Sequence, residues 1–336
     1  MSDRILVTGG LGFIGSAFIR HMVRSGRRIL NVDAHTYAAD PRRLETIDSN
    51  GVDTHLLDVS DDAFLDVVKQ EHPQIIVHFA AESHVTRSEQ RPDAFYNSNV
   101  QGTRMVLEAA VGVEVDLMVH ISTDEVYGPC HAAPFREEDK VLGEGRATSA
   151  YARTKALADD LALSYSDRLP LVVVRPTNCF GPYQHPEKAI PRWITRALGG
   201  GRLPVWGDGG QVRDWMFVED AVTGIETVME RGTLGQSYNL APGDGSRSNR
   251  QVAQEVALAA RRSEDAVYLT DYDRPDHDRR YAVDASRIRE LGWTTRVDFH
   301  QGIERTVDWY SRNTSWWTSL LSDAETLYSD AAVREE

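Results

Sequence analysis

The stretch Ile5-Leu6-Val7-Thr8-Gly9-Gly10-Leu11-Gly12-Phe13-Ile14-Gly15 decides the fold of this chain. An apolar run, Arg4–Thr8, reads as a strand, and a glycine-rich turn leads at once into the helical pattern Phe13–Ser25. Gly9, Gly12 and Gly15 follow a GxxGxxG spacing, the dinucleotide fingerprint with one residue more than GxGxxG. Glycine permits a tight turn and close approach of backbone to ligand, while a helix N-terminus attracts a pyrophosphate. A glycine turn alone also suits a plain structural loop. Asp33 separates the two readings: it ends the next strand 18 residues after Gly15, near the spacing of about 20 at which an acid meets a ribose diol. Its charge repels a 2′-phosphate, so NAD is expected rather than NADP.

Further along, short apolar runs alternate with helix-length segments. Arg28–Asp33, His55–Leu57, Ile75–Phe79, Leu117–Ser122 and Leu171–Arg175 read as strands, Asp62–Glu71 and Arg104–Ala110 as helices. That alternation predicts an α/β fold, a Rossmann-like doubly wound parallel sheet whose doubly buried strands are continuously apolar. Beyond about residue 176 Gly, Pro and Trp become frequent, which predicts a smaller C-terminal α/β substrate domain over the mouth of the sheet. The expected division is 1–176 plus a crossing segment at about 214–240 for NAD, 177–213 and 241–320 for substrate, and 321–336 as a helical or frayed acidic tail.

In such sheets ligands lie at the carboxyl ends of the strands. Asp58 and Val59 end the third strand and could hold an adenine edge; Ala80, Ala81 and Ser83 end the fourth with small residues. The composition limits what else the protein could do. At 336 residues, 41% hydrophobic and 26% charged, it is an ordinary globular chain. A net charge of −14 argues against nucleic acid, which needs a basic face. Cys130 and Cys179 show no zinc spacing, so no metal is expected and a cytoplasmic location is. No apolar run reaches about 18 residues, so no membrane partner is expected.

The chemistry gathers in Ile121-Ser122-Thr123-Asp124-Glu125-Val126-Tyr127-Gly128 and Tyr151-Ala152-Arg153-Thr154-Lys155. Tyr151 and Lys155, at i and i+4, share a helix face, so the ammonium can lie beside the phenol and favour phenolate. That base could take a proton from a sugar hydroxyl as hydride leaves the same carbon. Two further carboxylates exceed what a simple dehydrogenase needs and suggest that water is also eliminated. As acid and base, Asp124 and Glu125 must ionise differently, which requires unequal environments.

GGLGFIG, HFAAESHV, HISTDEVYG, YxxxK, NCFGPYQHPEK, GDGGQVRDWMFVED and RPDHDRRYAVD follow in order over residues 4–312. Together they resemble the extended short-chain dehydrogenase/reductase superfamily and, through the TDE triplet, its dTDP-glucose 4,6-dehydratases. The resemblance implies a nucleotide-sugar substrate and a homodimer. It implies that Tyr151 deprotonates the C4 hydroxyl while NAD accepts hydride, that Glu125 removes the C5 proton, and that Asp124 protonates the departing C6 hydroxyl. Hydride then returns to C6 and C5 is reprotonated, giving a 4-keto-6-deoxy sugar. Thr123 would bond the C4 oxygen, Lys155 would hold the ribose, and Ser98 would join the cofactor set. Ser83, Asn178, Lys188, Arg213, Asn239 and Arg274 would hold sugar and diphosphate, and Trp206 would stack on the nucleobase. Thr86 stands where the family usually has Asp, Phe180 and Trp206 where it usually has Tyr, and the loop Asp139–Ser149 also departs from the family pattern. The alternatives are another sugar-nucleotide enzyme (a dehydratase of a UDP-, CDP- or GDP-sugar, a 5,6-dehydratase or a 4-epimerase) and a non-catalytic NAD-binding protein.

Overall fold

A computed structural model describes residues 4–48, 50–142, 149–243, 246–272 and 278–327. The strands are β1 (Ile5–Thr8), β2 (Ile29–Asp33), β3 (Val52–Leu56), β4 (Ile75–His78), β5 (Leu117–Ile121), β6 (Leu171–Pro176), β7 (Asn178–Phe180), β8 (Leu203–Trp206), β9 (Val212–Arg213), β10 (Trp215–Phe217), β11 (Ser237–Leu240), β12 (Arg247–Ser248) and β13 (Val267–Thr270). Seven of them form one sheet in the order β11-β6-β5-β4-β1-β2-β3, and every pairing in it is parallel. The strand order reverses between β1 and β4. Such a switch point opens a crevice at the carboxyl ends of the strands.

The sheet is buried on both faces, and alternate residues serve opposite cores. Ile5, Val7, Val172 and Val174 pack with helices Phe13–Arg24 and Val218–Arg231, while Leu6, Leu171 and Val173 pack with Asp62–Glu71 and Gly102–Gly112. A fully buried Val or Leu contributes about 1.5–3 kcal/mol, so wholly buried β6 is a firmer anchor than β3. Strand β3 begins at Val52, earlier than the apolar run His55–Leu57 suggests, and Asp53, Thr54 and Leu56 are exposed. It is the edge strand, so the expectation of continuous apolarity does not hold there.

A third core gathers Trp193, Ile194, Leu203, Val252, Phe299, Ile303, Tyr310 and Trp316 on the C-terminal side. The β7–β10 ladder stands between the cores: Cys179 and Met216 join the sheet's core, Phe180, Trp215 and Phe217 the third one. Val283, Ala285, Ile288 and Trp293 return to the sheet's core, although the sequence suggested a single C-terminal run from residue 241. Residues Thr314–Leu327 are helical, and the tail beyond them lies outside the described residues. Among the described residues no helix is long and apolar enough to cross a membrane.

Candidate active site

The crevice at the switch point is a cavity of about 760 Å³, within the range of about 300–1,000 Å³ typical of small-molecule sites. Gly9, Gly12, Phe13, Ile14 and Gly15 line one end with Asp33, Asp58, Val59, Ala80, Ala81, Ser83 and Ser98. Thr123, Asp124, Glu125, Tyr151 and Lys155 line its middle, and Asn178, Lys188, Trp206 and Arg213 its far end.

The near end fits a dinucleotide. Gly9 has φ +73°, and a Cβ there would sit 2.7 Å from the Ala80 backbone; a Cβ on Gly15 would sit 2.4 Å from the Gly9 carbonyl. The turn therefore approaches its neighbours more closely than any side chain allows, opening helix Phe13–Arg24 toward the cavity. Asp33 Oδ2 accepts from Leu11 N at 2.9 Å and Oδ1 from His35 N at 2.8 Å. Each oxygen keeps a lone pair for a diol. Arg43, fully buried, donates to the carbonyls of Leu11 (2.6 Å), Ala38 (2.6 Å) and Tyr183 (3.0 Å), tying this end to the C-terminal side.

Strand β5 delivers the catalytic candidates. Past Ile121 the chain closes a short 3-10 turn, Asp124–Tyr127, capped by the Thr123 side chain accepting from Glu125 N. Asp124 is 2% exposed whereas Glu125 is only half-buried. Burial, with Glu125 and Asp214 adding to it, pushes the Asp124 carboxyl up to about 8. Thr123 Oγ1 donates to Asp124 Oδ1 at 3.2 Å, and Asp124 Oδ2 has no hydrogen-bond partner among the described residues. The unequal environments that acid–base work requires are present.

Helix Ala150–Leu163 starts at Ser149, whose hydroxyl accepts from Ala152 N at 3.0 Å, and presents Tyr151 and Lys155 on one face. Lys155 Nζ donates to Ile121 O at 2.8 Å, and burial lowers its ammonium to about 8. The Tyr151 phenol bonds the Thr123 side chain, yet burial and then Glu125 raise it above its ordinary value. Desolvation and the neighbouring carboxylate thus act against the phenolate that the sequence expects Lys155 and an oxidised nicotinamide ring to favour.

Ser122, Thr177 and Asn178 line the cavity, and their buried Oγ, Oγ1 and Oδ1 atoms have no hydrogen-bond partner among the described residues. Lys188 Nζ donates to Ser83 O at 3.0 Å. Arg213 donates to the carbonyls of Val212 and Asp278, and its guanidinium lies 4.3 Å from the Tyr281 ring. The Trp206 ring lies edge-on to Tyr272 at 5.0 Å.

Asn239 is a correction. It lies in β11, fully buried and away from the cavity, accepting from Tyr127 and donating to the carbonyls of Phe135 and Asp284. A saturated amide inside a sheet strand cannot reach a sugar. Asn249, Tyr281 and Arg192 line the cavity instead. Tyr281 lay within a quoted motif, but nothing in the local pattern marks Asn249, which β12 brings in by pairing with β9. Arg274 and part of the loop Asp139–Ser149 lie outside the described residues.

Residues 5–241 match the model of the NAD dependent epimerase/dehydratase family. The chain belongs to that family. A dTDP-glucose 4,6-dehydratase of Xanthomonas campestris pv. campestris is 40% identical over 343 residues, covering 94% of this chain and 95% of the relative. The low-salt glycan biosynthesis protein Agl12 of Haloferax volcanii is 40% identical over 310 residues, 91% of this chain and 98% of the relative. Among solved structures, the dTDP-glucose 4,6-dehydratase DesIV of Streptomyces venezuelae, with NAD bound, superposes with a TM-score of 0.89 at 37% identity. That match covers 94% of this chain and 99% of DesIV.

Proposed function

We propose that this protein is an NAD-dependent 4,6-dehydratase of a nucleotide-activated hexose, with dTDP-glucose its first substrate. The observation that carries the reading is Asp124. It is an acid held protonated near neutral pH, on the same turn as Glu125 and in one cavity with Tyr151 and Lys155. A 4-epimerase has no use for such an acid.

NAD, when bound, takes hydride from C4 and returns it at C6. The protein's own residues handle the protons. Tyr151 takes the C4 hydroxyl proton, and Thr123 Oγ1, already bonded to that phenol, orients the C4 oxygen. Lys155, anchored on Ile121 O beneath, holds the ribose. The C4 ketone acidifies C5, and Glu125 removes the proton there. Asp124 then delivers its proton to the C6 hydroxyl, which leaves as water, and C5 takes a proton back from Glu125 once C6 is reduced; Tyr151 releases its proton to solvent and Asp124 regains one. Asn178 and Lys188 hold the sugar, Arg213 the diphosphate, and Trp206 the base; a guanidinium suits a diphosphate because it makes planar, doubly bonded contacts.

The same reading places the protein in the cytoplasm, supported by two free cysteines. It also pairs two copies through the helices that expose Tyr96 and Leu157. The test is to incubate the purified protein with dTDP-, UDP-, CDP- and GDP-glucose and follow the alkaline ultraviolet band of a 4-keto product. Formation of the band with dTDP-glucose supports the assignment. An epimerised sugar without it, or no product from any of the four, overturns it.

A further inference from the structure

The residue that the sequence offered as a sugar ligand, Asn239, belongs to a buried polar network behind the catalytic turn. Tyr127 closes that turn, two residues after Glu125, and is fully buried. Its hydroxyl donates to Asn239 Oδ1 at 2.8 Å and accepts from Arg175 Nη1 at 2.5 Å. Arg175, 1% exposed on β6, holds Asp159 with two bonds, Nε to Oδ2 at 2.9 Å and Nη2 to Oδ1 at 2.6 Å. Asp159 lies on helix Ala150–Leu163, one turn beyond Lys155. The network thus joins the carrier of Asp124 and Glu125 to the carrier of Tyr151 and Lys155.

Resting on the dehydratase reading, we propose that Tyr127, Arg175 and Asp159 are positioning residues. They fix the Asp124–Glu125 turn relative to the Tyr151–Lys155 helix and so govern the elimination step. Three physical points support this. The turn is only four residues long, Asp124–Tyr127, too short to hold its own rotation by repeated backbone bonds. Val126 at 0% exposure and the Tyr127 ring, stacked on Phe135 at 5.2 Å, fix its depth. Such apolar contacts are non-directional. The Tyr127 hydroxyl provides the directional restraint, and in a dry interior a doubly satisfied hydroxyl is stiff. Tyr151 has its own fixing through Ser149 at the helix start, so C4 chemistry depends less on the network.

The experiment uses Tyr127→Phe and Asp159→Asn in the full-length protein loaded with NAD and fed dTDP-glucose. Two signals are followed separately: the transient absorbance of reduced nicotinamide, which reports C4 oxidation, and the 4-keto-6-deoxy product. A displacement of about 1 Å at a reacting group costs roughly 100-fold in rate. Product formation should fall about 10- to 100-fold in either variant, while the oxidation rate and the KM stay within about twofold and reduced nicotinamide accumulates. Asp159→Asn supplies the split if Tyr127→Phe does not fold. Equal slowing of both signals, or an unchanged product rate, overturns the positioning role and leaves the dehydratase reading intact. Wild-type protein that makes no 4-keto sugar overturns both.

Discussion

Replacing Asp124 by Asn keeps the shape of the side chain and removes its titration, which separates its cost to the fold from its use in chemistry. Burial moves the carboxyl from 3.8 to about 8. Across that interval the folded protein keeps a proton that the unfolded chain has already released. Stability from this group is therefore full below about pH 4 and falls as pH rises toward about 8. At pH 7 the chain stands about 3 units into the interval, and at about 1.4 kcal/mol per unit the group costs about 4 kcal/mol. Solvent does not dilute that figure, because Asp124 is 2% exposed. The neutral acid leaves one donor unpaired at the Oδ2 position and the amide leaves two, a constant offset that does not change with pH. Urea unfolding followed at several pH values should find Asp124→Asn gaining about 4 kcal/mol on the parent between about pH 4 and pH 7. Water loss should slow by at least about 100-fold. Parallel stability curves would refute the claim that the fold holds this proton.

Parental dehydration should decline above about pH 8 as Asp124 ionises, tenfold per unit, and Asp124→Asn should lack that limb; rapid-mixing rates across pH check this. Asp33→Ala should weaken NAD binding about 10- to 100-fold, the worth of charged hydrogen bonds to a diol, as read by titration calorimetry on stripped protein. Trp206→Ala should raise KM for the nucleotide sugar about 5- to 100-fold with little change in kcat, since a stacked base is worth about 1–3 kcal/mol. Arg43→Met strips a donor from the carbonyls of Leu11, Ala38 and Tyr183. It should lower unfolding stability by about 2–4 kcal/mol, seen as a lower Tm.

Legibility in the sequence followed locality. The β1 turn and Asp33 were readable because a few consecutive residues carry both the backbone demand and the ligand chemistry. Thr123-Asp124-Glu125 and Tyr151/Lys155 were readable for a similar reason: one strand end and one helix turn place all five in the cavity. What sequence could not give was the inequality of the two acids, which depends on Asp214 and on burial by distant segments. The same limit misplaced Asn239. Its motif neighbours suggested a ligand, whereas its partners Tyr127, Phe135 and Asp284 are set by tertiary packing alone. Strand β3 was shortened because an edge strand has one wet face and shows no unbroken apolar run.

The shared β7–β10 ladder carries a consequence for how this protein can change over evolutionary time. Its residues serve both cores, and the segment around Trp293 threads back into the first. Neither core is built from one uninterrupted stretch, so a single recombination event would not carry one of them over whole. On the proposed reading, new preferences for base or hexose arise instead by single substitutions at cavity positions such as Trp206 or Asn249. Each is tested against a scaffold whose cores are stitched through strands that themselves line the cavity, at Asn178, Cys179 and Trp215.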